Sequence, residues 1–78
     1  SLIHKVRSVT LELDDDRAVL PLQKLLASEG RGIVKIQLSI PIQSGTRVMI
    51  DLPQGYNYAG TLRDAIYQLD GVRAVHEA

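Results

Sequence analysis

Apolar and polar residues alternate along three stretches of the chain. Val9, Leu11 and Leu13 alternate with Thr10 and Glu12; Val34, Ile36, Leu38 and Ile40 with Lys35, Gln37 and Ser39; Val48, Ile50 and Leu52 with Arg47, Met49 and Asp51. Period two is the pattern of a half-buried strand, because successive side chains leave opposite faces. Pro41-Ile42-Gln43-Ser44-Gly45-Thr46 separates the last two stretches and supplies turn residues, so these read as a hairpin with Val34, Ile36, Leu38, Val48, Ile50 and Leu52 on its buried face. Two other segments have helical spacing. Ala18, Leu22, Leu25 and Leu26 share one face, with Arg17, Gln23 and Lys24 off it; Leu62, Ala65, Ile66 and Leu69 share another.

Stop and start signals delimit these elements. Asp14-Asp15-Asp16 ends the first strand and is placed to cap the next helix, where carboxylates favour the positive N-terminal end. Pro21 moves the regular part of that helix toward Val19, and Gly30 reads as its left-handed terminator. Pro53-Gln54-Gly55 reads as a turn, with Tyr56 and Tyr58 in a short strand or ordered loop after it. Thr61 and Asp64 resemble a capping box, Gly71 ends the second helix, and Val72 to His76 read as a last strand. The order is β-α-β-β-α-β. The expected fold class is α+β, a two-layer ferredoxin-like split βαβ with a mainly antiparallel sheet and both helices on one face.

Composition narrows the class. The 78 residues allow one domain, and a chain this short buries only roughly three-fifths of its unfolded surface. Hydrophobic residues are 45% and charged residues 23%, as in ordinary globular proteins, which argues against disorder. Nine Lys and Arg balance nine Asp and Glu, so the basic excess of a stand-alone nucleic-acid module is missing. Without cysteine there is no disulfide, thiolate nucleophile or Cys metal site, which fits a reducing cytoplasm. No apolar run reaches the roughly 20 residues needed to span a bilayer, and the N-terminus lacks signal-peptide zones. Ser1-Leu2 are candidates for a cloning remnant, and the chain reads as a piece excised from a longer protein.

Candidate chemistry is thin. Divalent cations need oxygens converging from several directions, whereas the consecutive Asp14, Asp15 and Asp16 diverge, so capping is the better reading. His4 and His76 lie near the two ends without an evident third ligand and read as surface groups. Gly30-Arg31-Gly32 lacks the spaced glycines and Lys-Ser/Thr of a phosphate loop and follows a helix instead of opening one. No serine sits in a nucleophile elbow. The expectation is a non-catalytic domain without metal or cofactor.

The ordered features resemble a known family. They are Leu13-Asp14-Asp15-Asp16, the helix Ala18-Val19-Leu20-Pro21-Leu22, and Gly30-Arg31-Gly32 before the hairpin. Leu52-Pro53-Gln54-Gly55-Tyr56 and Leu69-Asp70-Gly71-Val72 complete the set. Together they resemble the C-terminal domain of the bacterial replicative DNA polymerase III alpha subunit, most closely its alphaproteobacterial versions, from about Val6 to Glu77. Each motif is weak alone; the ordered set is more informative. The chain departs from that pattern at Asn57-Tyr58-Ala59-Gly60, where Val-Ser-Pro is common. The resemblance implies part of a DNA replication enzyme that lies far from the polymerase active site. It also implies docking to the tau subunit of the clamp loader, in the company of other replicase domains and near single-stranded DNA, in a bacterial cytoplasm.

Docking surfaces follow from the polar face of the sheet and from the tyrosines. Lys35, Arg47, Met49 and Arg73 are expected on the open face, and Tyr56 and Tyr58 at one end of the hairpin, as partner contacts. Two other functions compete. Single-stranded nucleic-acid binding requires aromatics on the open face of the central strands, where Lys35, Gln37, Ser39, Arg47, Met49 and Asp51 stand instead. A small-molecule regulatory domain of ferredoxin-like fold would use exposed edge strands to pair across a dimer.

Overall fold

The computed structural model describes residues 5–78. Four strands and two helices follow the expected order: β1 (Ser8–Leu13), α1 (Val19–Ala27), β2 (Arg31–Pro41), β3 (Arg47–Tyr56), α2 (Gly60–Tyr67) and β4 (Val72–Glu77). They form one α+β unit with a single sheet in the order β3-β2-β1-β4. The sheet is mainly antiparallel, in the β1–β4 and β2–β3 pairings. It departs from the expected arrangement at its centre. A split βαβ would insert β3 between β1 and β2, but here β1 and β2 are direct, parallel neighbours and β3 lies outside β2. Pro53 belongs to β3. Proline has no N–H to give to a ladder, and an edge strand tolerates it best.

The core lies between the sheet and the helix layer. Val9, Leu11 and Leu13 of β1 and Val34, Ile36, Leu38 and Ile40 of β2 are buried with Leu22 and Leu26 of α1 and Leu62 and Ile66 of α2. β1 is flanked by strands on both sides, and its three inward residues are essentially inaccessible. Each such side chain contributes about 2 kcal/mol by leaving water.

β3 is covered less well than its alternation predicts. Val48 and Ile50 stand opposite Ile40 and Leu38 on the helix side, yet remain 39% and 41% exposed, and Leu52 is half-buried. The expectation of a fully buried hairpin face is therefore corrected. Placing β3 at the edge takes it out from under the helices.

Local signals worked in part. Asp15 accepts a hydrogen bond from the Arg17 N–H and caps a 3-10 turn, Asp16–Ala18, which leads into α1. Pro21 then falls in the first turn of α1, where an N–H has no intrahelical partner. Gly30 is not the left-handed terminator. α1 closes at Ser28, whose hydroxyl and N–H both donate to the Leu25 carbonyl. The Thr61–Asp64 capping box does not form, because α2 starts one residue earlier, at Gly60, after Ala59, with no side-chain cap. Gly71 has positive φ, but it sits in the turn Leu69–Val72, beyond the end of α2. In the hairpin, Ser44 and Gly45 both have positive φ, as a type I′ turn requires.

Candidate functional site

The open face of the sheet carries Ser8, Thr10 and Glu12 from β1, Lys35, Gln37 and Ser39 from β2, Met49 and Asp51 from β3, and His76 from β4. The strand register sets these residues into rows. Asp51 stands opposite Gln37, Gln37 opposite Thr10, and Thr10 opposite His76, so one row crosses all four strands. The Gln37 side-chain amide donates to Asp51 (2.8 Å), and the Thr10 hydroxyl contacts the Gln37 carbonyl oxygen at 3.4 Å. His76 Nε2 lies 2.5 Å from the Glu12 carboxylate. That hydrogen bond, followed by the charges of His76, Arg47 and Arg73, holds Glu12 below the ordinary carboxylate range.

Arg47 is tied into this face. Its Nε donates to the Ser39 hydroxyl (2.7 Å), and Nη2 donates to the carbonyls of Ser39 (3.0 Å) and Leu13 (2.7 Å). One guanidinium thus satisfies groups on β1 and β2 from a position on β3, and it accounts for the burial of Ser39. Charge-assisted donation of this kind is among the stronger hydrogen bonds available. Arg47 is thereby a brace across three strands.

The tyrosines are also tied into the fold. Tyr56 is 7% exposed and belongs to the core. Tyr58 packs against the core and donates its hydroxyl to Glu77 (2.6 Å), which also pairs with Arg63 (3.0 Å). Partial burial, and then the Glu77 carboxylate, push the Tyr58 hydroxyl pKa upward. Arg73 pairs with Asp14 at 3.1 Å, with both side chains exposed, an arrangement worth little to stability. Of the six expected contacts, Lys35, Met49 and Arg73 are exposed, Arg73 in a surface ion pair with Asp14.

Sequence reasoning missed one feature of the β2–β3 ladder. Arg31 and Val34 both register with Tyr56, and the ladder slips again between Lys35 and Gln37. The residues of Gly30-Arg31-Gly32 therefore face Gly55-Tyr56, and Asn57 N–H donates to the Gly30 carbonyl. A Cβ on Gly32 would collide with the Tyr56 carbonyl, and one on Gly55 with the Gly32 carbonyl. The expected turn at Pro53-Gln54-Gly55 is instead an irregular stretch inside β3. Ile33, beside the inward Val34 and within the slip, is 82% exposed. The pairing of a Gly-x-Gly with a Pro-x-Gly across a presumptive hairpin was the available signal.

Two shallow depressions accompany these surfaces. One, about 470 Å³, lies on the open face among Ser8, Thr10, Lys35, Gln37 and Asp51. The other, about 440 Å³, lies among Asp14, Asp15, Arg17, Pro21 and Asp70. Asp15 is already paired with Arg17, and among the described residues no three His, Cys, Asp or Glu side chains are grouped to hold a metal. His4 lies outside the described residues. Among those residues, no helix is long and apolar enough to cross a membrane. No protein-family model, curated protein or solved structure matches the chain in comparisons with known proteins.

Proposed function

We propose that this chain is the non-catalytic C-terminal docking domain of a bacterial replicative DNA polymerase alpha subunit, working in the cytoplasm and binding the clamp-loader tau subunit. The observation that carries the reading is the mutual fit of its two most informative motifs. Gly30-Arg31-Gly32 and Leu52-Pro53-Gln54-Gly55-Tyr56, separate in sequence, form one backbone-to-backbone contact in which neither Gly32 nor Gly55 has room for a side chain. An ordered motif set is a stronger sign of kinship when its parts depend on one another physically.

The chemistry of the open face supports docking over nucleic-acid binding. The central strands β1 and β2 present Ser8, Thr10, Glu12, Lys35, Gln37 and Ser39 on that face, where stacking aromatics would be needed, and the Arg47 guanidinium is committed to Ser39 and Leu13. Lys35 and Met49 are the proposed contact residues on that face.

Calorimetric titration of this chain with purified tau is the test. Micromolar or tighter binding that weakens in Lys35→Glu supports the reading. Absence of heat at such concentrations, or stronger salt-dependent binding to oligonucleotides than to tau, removes it.

A further inference from the structure

β3 is an outer strand, with its far edge free among the described residues. Its hydrogen-bonding phase is set by the turn: Ile42 N–H donates to the Thr46 carbonyl, and Pro41, with no N–H, faces Arg47. Bonded pairs alternate in an antiparallel ladder, so Val48 and Ile50 bond to β2. The main-chain groups of Arg47, Met49 and Asp51 therefore point outward, with no strand beside them among the described residues. Natural edges are usually guarded by Lys, Pro or inward charges. Here Val48, Met49 and Ile50 are 39%, 51% and 41% exposed, and Pro53 falls only beyond them.

The segment Arg47-Val48-Met49-Ile50-Asp51 is complementary to itself when reversed. We propose that β3 pairs antiparallel with β3 of a second copy of this chain, with the two-fold axis at Met49. In that register Arg47 faces Asp51 of the second copy, and Asp51 faces its Arg47, on the open face. Val48 faces Ile50 of the second copy on the helix side. The three outward residues are in the right phase to form bonded pairs, and unlike charges lie opposite at both ends. Arg47 and Asp51 lean onto β2 through Ser39 and Gln37, so the seam gains their opposed charges and not new direct bonds. The result is one continuous sheet through both copies, with the exposed apolar residues of β3 covered. The pairing does not depend on the proposed tau partner.

Sedimentation equilibrium from micromolar to millimolar concentration reads the association, and amide exchange reads its location. The expected result is a rise from the 8.6 kDa of one chain toward twice that mass, with the Met49 and Asp51 amides gaining protection as mass rises. Met49→Lys sets two ammonium groups face to face across the axis and is expected to remain a single chain with an unchanged circular dichroism spectrum. A mass that stays single throughout overturns the proposal. So does a doubling that survives in folded Met49→Lys, or protection gained along β4 instead of β3. Should Met49→Lys unfold, the exchange pattern of the unaltered chain decides alone.

Discussion

At the scale of single residues, Arg47 and the Gly32–Gly55 contact carry more of the structure than their surface positions suggest. Arg47→Ala removes three hydrogen bonds and leaves the buried Ser39 hydroxyl without its partner. A loss of about 2 kcal/mol or more is expected in chemical denaturation. Arg47→Lys should recover little, because an ammonium cannot span the same fork. Gly55→Ala drives a methyl group into the Gly32 carbonyl, and a loss of about 2 kcal/mol is expected, against a few tenths at the open Gly60. Glu12 contributes to the pH dependence, as does Asp15, whose carboxyl is held low by its hydrogen bonds from Arg17. The Glu12 pKa is lowered on folding, so its contribution is complete above the ordinary 4.5 and is lost as pH falls through the lower folded value. Thermal midpoints measured from neutral pH into the acid range should therefore fall less steeply for Glu12→Gln than for the unaltered chain.

At the scale of elements, legibility in the sequence followed coverage. β1 and β2 were legible because each has a wholly buried face, so alternation and burial coincide. Both helices were legible from Leu22, Leu26, Leu62 and Ile66, all of which reach the core. The neighbours of β3 were not legible. Alternation reports which face of a strand is apolar and does not say which strand lies beside it. Pro53-Gln54-Gly55 reads as a turn in sequence, although it lies inside β3, because Pro and Gly mark turns and ladder slips alike. The roles of Arg47 and Tyr58 within the fold were not legible for a related reason: their polar atoms are committed to intramolecular bonds that span long stretches of sequence. These differences in coverage predict unequal mutational costs. Leu62→Ala should lose about 3 kcal/mol as a fully enclosed side chain, whereas Ile50→Ala, on the edge, should lose about 1 kcal/mol or less in dilute urea titrations.

At the scale of the whole molecule, function is a matter of which surfaces stay uncommitted. The charged groups of the open face mostly satisfy one another, which leaves Lys35 and Met49 presented there and Val48 and Ile50 on the reverse side of the same edge. The two strand registers at the centre also bring distant parts of the chain together. Arg7 and Ser8 N–H both donate to the Ala78 carbonyl, and Ala78 N–H donates back to Ser8. The first and last described segments therefore leave the sheet from one corner, while the Ser44-Gly45 turn lies at the opposite end of the strands. A tether at that corner would carry the domain like a pennant on a short pole, with the turn sweeping the widest arc. It also makes the covalent order of the chain interchangeable: closing the corner with a short Gly-Ser linker and opening the backbone between Ser44 and Gly45 should yield a circular permutant that folds to the same sheet.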